Sequence, residues 1–129
     1  MEFRMLLVDD NPSDRLIVRT LAEREGILVH EAENGQQALE LVADEALSFG
    51  LFVIDLQMPK MPGLELLKRL RRIPKYQKTP TLIMSARNRP IDVQLAVQCG
   101  ATDYIIKPVD LQILKEKLNR SSKGSAENW

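Results

Sequence analysis

The sequence predicts a doubly wound α/β domain, a five-stranded parallel sheet with helices on both faces. Two observations carry this. Strand-length apolar runs alternate strictly with segments of helical period, which is the signature of repeated β-α units. Three of the five runs are almost continuously apolar, as strands covered on both faces must be. A length of 129 residues fits one such domain with a substantial core.

The elements follow in order. Residues 4–8 (RMLLV) form the first strand and run into "DDNPSDR"; residues 27–32 (ILVHEA) form the second, with Gly26 placed to end the intervening helix. Leu39, Val42, Ala43 and Ala46 fall at i, i+3, i+4, i+7 and predict the second helix. Residues 51–54 (LFVI) are the third strand, and Leu66, Leu67, Leu70 and Ile73 stripe the third helix. Pro59, Pro62 and Gly63 read as turn punctuation between them. Residues 81–84 (TLIM) are the fourth strand. In the fourth helix Ile91, Leu95, Ala96 and Cys99 make one core face, while Val93 and Val97 fall well round from it; Gly100 ends it. Residues 103–106 (DYII) are the fifth strand, and Asp110 caps a last helix carrying Leu111, Leu114 and Leu118. The domain spans 1–120, and "SSKGSAENW" at 121–129 reads as a polar tail or truncated linker holding Trp129. No internal repeat is visible.

Composition removes several function classes. Eighteen basic and eighteen acidic residues give zero formal charge, which argues against direct binding to nucleic acid or an anionic membrane. One cysteine, Cys99, excludes an internal disulfide and a thiolate metal cluster, and fits a reducing compartment. The N-terminus has no signal-peptide stretch, and no run nears the roughly 18 apolar residues of a membrane span. The expected location is cytoplasmic.

In sheets of this kind ligands bind beyond the carboxyl ends of the strands. There the first strand delivers Asp9 and Asp10, the third Asp55, the fourth Ser85, and the fifth Lys107. Three carboxylates and one ammonium leave an excess of negative charge. Like charges about 4 Å apart cost on the order of 4 kcal/mol at an effective dielectric near 20. A hard divalent cation cancels that excess, and oxygen-only ligands favour Mg²⁺ over zinc. A neutralised rim can accept a phosphoryl group held by metal, Lys107 and Ser85, and transfer onto a carboxylate needs such charge stabilisation more than acid-base groups.

The motifs "LLVDDNP", "LFVIDLQMPKMPGLELL", "LIMSA" and "GATDYIIKP", in that order and each at a strand end, cover about residues 3–120. With them the chain resembles the receiver domain of bacterial two-component response regulators, including the stand-alone chemotaxis type. The resemblance implies the flavodoxin-like strand order 2-1-3-4-5. It implies that Asp55 accepts phosphate from a histidine kinase or phosphotransfer protein. Asp10, Asp55 and the backbone carbonyl of Gln57 would bind Mg²⁺, with Asp9 acting through water. Lys107 and Ser85 would bind the phosphoryl oxygens, and Tyr104 would swing inward as Ser85 moves. A cis peptide is implied before Pro108, and Gln57 and Arg87 occupy positions that tune dephosphorylation. The face of the fourth helix, fifth strand and fifth helix is the family's signalling surface. Val93, Val97 and Tyr104 are the expected contacts there for an output domain, a target protein or, on phosphorylation, a second copy of the chain.

Other readings stand beside this one. Asp9 and Asp10 alone could be charges at a helix N-terminus, and Asp55 and Ser85 alone turn residues; Tyr104 could be a plain strand aromatic, and His30 lies in a strand away from the rim. A Mg²⁺-dependent phosphohydrolase with an aspartyl-phosphate intermediate has a similar sheet, but usually a second acid where this chain has Gln57. A degenerate receiver acting only as a binding module would not need the full set of acids, hydroxyl and lysine. Ser85 keeps the hydroxyl of the more frequent threonine without its rotamer-limiting methyl.

Overall fold

A computed structural model describes residues 2–123. Five strands, β1 (Arg4–Val8), β2 (Leu28–Ala32), β3 (Leu51–Asp55), β4 (Thr81–Ser85) and β5 (Asp103–Ile106), alternate with five helices. These are α1 (Pro12–Arg24), α2 (Gly35–Ala43), α3 (Gly63–Arg71), α4 (Pro90–Gln98) and α5 (Leu111–Lys123), with a 3₁₀ turn at Pro74–Tyr76 after α3. The sheet is parallel in the order β2-β1-β3-β4-β5, as expected.

The period of two along each strand divides the core between the faces. Leu6, Val8, Phe52, Ile54 and Ile83 point toward Ala38 and Val42 of α2 and Leu66, Leu67 and Leu70 of α3. Met5, Leu7, Leu51, Val53, Leu82 and Met84 point the other way, onto Val18 and Ala22 of α1 and Leu114 and Leu118 of α5. Register then sets the site: Val8 pairs with Ile54, Asp55 with Met84, and Ser85 with Ile106, so four strand ends reach one rim.

Local chemistry fixes the helix ends. Asn11 caps α1, its side chain accepting from the amides of Ser13 and Asp14, so neither Asp9 nor Asp10 serves as that cap. Asp110 caps α5 through the amides of Gln112 and Ile113. Gly26 (φ 79°) and Gly100 (φ 106°) follow α1 and α4 in the left-handed region that favours glycine.

Three expected stripes are corrected. Helix α2 ends at Ala43 because Asp44 is extended, so Ala43 and Ala46 lie in solvent and the buried face is Gly35, Ala38 and Val42. Leu111 is exposed at the start of α5, leaving Leu114 and Leu118 to pack. In α4, Ile91 and Leu95 are exposed, and the buried positions are Asp92 and Ala96, with Val93 and Cys99 half-buried. The cause is the helix start: Asp92 accepts the Arg89 amide and pairs with its guanidinium, which turns Ala96 to the sheet. Helix α5 continues through Lys123 with Ser121 buried, three residues into the expected tail; residues 124–129, Trp129 among them, lie outside the described part.

Candidate functional site

Asp9 follows β1 and is fully buried. Its amide donates to the Ala32 carbonyl and its own carbonyl accepts from Arg15, which fixes the backbone there. One carboxylate oxygen accepts the Asn11 amide (2.9 Å) and the other accepts Lys107 Nζ (2.9 Å). Asp10, next in the chain, is exposed. Asp55 ends β3, with Oδ1 accepting the Gln57 amide (3.0 Å) and Oδ2 accepting Lys107 Nζ (3.1 Å). Ser85 is buried at the end of β4, its Oγ accepting the Arg87 amide (3.1 Å). The amide of Lys107 donates to the Ser85 carbonyl, and the Lys107–Pro108 peptide is cis, as expected.

The β3–α3 connection is pressed against the Asp55 backbone. A Cβ on Gly63 would stand 2.4 Å from the Asp55 carbonyl oxygen and 2.7 Å from Leu56 Cα. Its φ is not in the left-handed region, so glycine here supplies space and not a turn conformation.

Charge dominates the site. Burial pushes the Asp55 carboxyl up and the neighbouring Asp9 adds to that, against the Gln57 amide and Lys107. Burial alone would lower the Lys107 ammonium, but hydrogen bonds to Asp14 and Asp9 and the charges of Asp55 and Asp9 outweigh it, and the ammonium is held well above its ordinary value. Asp9, Asp10 and Asp55 can each offer one oxygen within 4.8 Å of the others. Without His or Cys among them, and with one ammonium against several carboxylates, this donor set suits a hard divalent cation.

The structure brings Asp9, Asp10, Asp55 and Lys107 together, with Ser85 beside them on the rim. Tyr104 is half-buried, packed against the core, and its hydroxyl donates to the Arg87 carbonyl (2.8 Å), tying β5 to the loop after Ser85. Gln57 and Arg87 are exposed, joined to the site through their backbone amides. On the α4–β5 face Val97 is exposed and Val93 half-buried, with Ile91, Leu95 and Ile106 as further exposed apolar side chains.

Two contributors were absent from the sequence reading. Arg15 holds the Asp9 carbonyl (2.7 Å) and pairs with Glu31 (3.3 Å). Asp14 accepts from Lys107 Nζ (2.8 Å). The signal for Asp14 was its place in the first turn of α1, four residues after Asp10, on the helix that starts at the rim.

Known proteins agree with this architecture. A family model for the response regulator receiver domain matches residues 5–119. A chemotaxis protein CheY homologue of Campylobacter jejuni is 35% identical, over 96% of this chain and 99% of its own length. A Leptolyngbya boryana protein known only as an uncharacterised 14.6 kDa protein is 41% identical over 82% of this chain and 79% of its own. Among solved structures, the chemotaxis response regulator CheY4 of Vibrio cholerae superposes with a TM-score of 0.86 at 30% identity, covering 94% of this chain and 99% of that one.

Proposed function

The chain belongs to the response regulator receiver domain family, and we propose that it is a phosphorylation-controlled switch whose acceptor is Asp55. Receiver domains are signalling proteins and not classical enzymes; they interact with histidine kinases or phosphotransfer proteins and with output targets, and generally bind Mg²⁺ at an acidic cluster. The observation that carries the reading is the half-buried Lys107 ammonium shared by the buried Asp9 and Asp55 at the strand-end rim, beside Asp10.

A carboxylate oxygen of Asp55 attacks the phosphorus of a phosphohistidine. The P–N bond breaks as the P–O bond forms, and the electron pair returns to the imidazole nitrogen. Lys107, already in hydrogen-bond contact with Asp55, meets the charge that arrives. The Ser85 hydroxyl, whose oxygen accepts the Arg87 amide, supplies its O–H as a donor to the new phosphoryl oxygens. Asp10, Asp55 and the backbone carbonyl of Gln57 would hold Mg²⁺, with Asp9 acting through water. When bound, the ion neutralises charge on the transferring group.

Phosphorylation replaces one negative charge with about two. Movement of Ser85 toward it loosens the loop that Tyr104 holds through the Arg87 carbonyl, and Tyr104 carries the change to the α4–β5–α5 surface with Val93 and Val97. A partner, an output domain or a second copy of the chain docks there, in the cytoplasm. Gln57 and Arg87 flank the acceptor and set how long the phosphate lasts. Among the described residues no helix is long and apolar enough to cross a membrane.

Acetyl phosphate should label the wild type at Asp55 with Mg²⁺ and leave Asp55→Asn unlabelled. Beryllofluoride with Mg²⁺ should shift the resonances of Tyr104 and α4 and leave those of α2 in place. Undiminished labelling in excess chelator refutes the metal role, labelling of Asp55→Asn refutes the acceptor, and shifts confined to the rim refute the signalling route.

A further inference from the structure

An ammonium has three N–H donors. Those of Lys107 go to Asp9 (2.9 Å), to Asp55 (3.1 Å) and, at the shortest distance, to Asp14 (2.8 Å). Asp14 differs from the other two. Its side chain is 36% exposed, against 0% for Asp9 and 7% for Asp55. It stands outside the group Asp9, Asp10 and Asp55 that could hold a cation together. Nor does its carboxylate cap α1, since the Asn11 side chain does that.

The geometry points to Asp14 as a positioning residue that competes with a phosphoryl group on Asp55 for the charge of Lys107, and so restrains the phosphorylated state. This rests on the reading of Asp55 as acceptor. The carboxylate oxygens of Asp14 and Asp55 bond the same nitrogen and therefore stand within about 6 Å of each other. Phosphorylation raises the negative charge on the Asp55 side to about two, and a fixed carboxylate at that range opposes the added charge. The Asp14 hydrogen bond is one of the contacts that hold the Lys107 ammonium up, together with a hydrogen bond and the charge of Asp9 and the charge of Asp55. Its place in the first turn of α1 is itself favourable to a carboxylate, and from there it reaches Lys107. A wall of the cleft of about 380 Å³ between α1 and the segment after β5 includes Asp14 and Lys107, so water and salt reach the pair.

Asp14→Asn keeps an amide oxygen for Lys107 and removes only the charge. With Mg²⁺ saturating, it should bind beryllofluoride about three- to tenfold tighter than the wild type and label faster with acetyl phosphate by a similar factor. Raising KCl from about 0.1 M to about 1 M should shrink that gain, because the Debye length falls from about 10 Å to about 3 Å; a purely structural effect would not respond in this way. Asp14→Glu should behave as wild type, and Asp14→Ser replaces Asn in the comparison if the amide does not fold. If Asp14→Asn binds no tighter, or its gain ignores salt, while wild type still labels at Asp55, the role of Asp14 is refuted and the acceptor stands. If wild type does not label, both fall.

Discussion

Replacing Lys107 with methionine keeps most of the side-chain volume and removes the charge. Asp9 is then left buried without its cation, and Asp55, almost as buried, faces it. Breaking a buried pair by deleting one partner costs about 3–5 kcal/mol, since the remaining charge keeps its desolvation penalty. The Asp14 contact adds little to this, because that carboxylate is more than a third exposed and well screened. For a domain of 129 residues each kcal/mol moves the unfolding midpoint by roughly 3–4 °C, so a fall of roughly 10–20 °C is expected in chelator. A divalent cation should recover part of it: a ligand at about 100 times its Kd contributes about 2.7 kcal/mol. Thermal and urea unfolding followed by circular dichroism, with chelator and with Mg²⁺, measures both quantities. A Lys107→Met variant within about 1 kcal/mol of wild type in chelator would show that the ammonium is not what offsets these buried carboxylates.

Asp10→Ala removes one like charge from the rim, so without Mg²⁺ it should be at least as stable as wild type while losing Mg²⁺-dependent labelling; clear destabilisation in chelator refutes the repulsion. Gly63→Ala forces a Cβ to within 2.4 Å of the Asp55 carbonyl oxygen unless the backbone yields. It should cost about 1–3 kcal/mol and shift the Asp55 and Leu56 amide resonances; an unperturbed spectrum shows that the loop has slack. His30 Nε2 accepts from the Arg4 guanidinium (2.8 Å), and burial, then the Arg4 charge, hold its pKa below the ordinary 6.5. The folded chain therefore binds this proton more weakly than the unfolded chain. Stability should stay level above about pH 6.5 and fall as pH drops from there toward the folded value. His30→Gln should flatten that slope in urea titrations, and an unchanged slope assigns it elsewhere.

What the sequence made legible was whatever a strand end dictates. Asp9, Asp10, Asp55, Ser85 and Lys107 each stand where an apolar run stops, and a parallel sheet carries all such ends to one rim. Asp14 escaped because an acid in a helix's first turn already has a sufficient local reason to be there. Gly63 was read only as turn punctuation, and the space it leaves for the Asp55 backbone escaped, since close approach to a distant backbone leaves no mark on local sequence. The faces of α4 were unreadable for a different cause. With apolar residues at 91, 93, 95, 96 and 97, its periodicity selects no single face, and the Asp92–Arg89 contact made the choice.

That choice leaves α4 lightly anchored. Helix α3 inserts three fully buried leucines, worth on the order of 5–9 kcal/mol of transfer free energy, whereas α4 inserts one alanine and an aspartate satisfied within its own first turn. Local opening is governed by the area an element must expose to come away. Amides in the middle of α4 should therefore exchange with deuterium well before those of α3, through partial openings that leave the sheet intact. The helix bordering Tyr104 is thus the part of the molecule that can be re-seated at least cost to the rest, and a signal arriving at β4 and β5 meets its smallest resistance there.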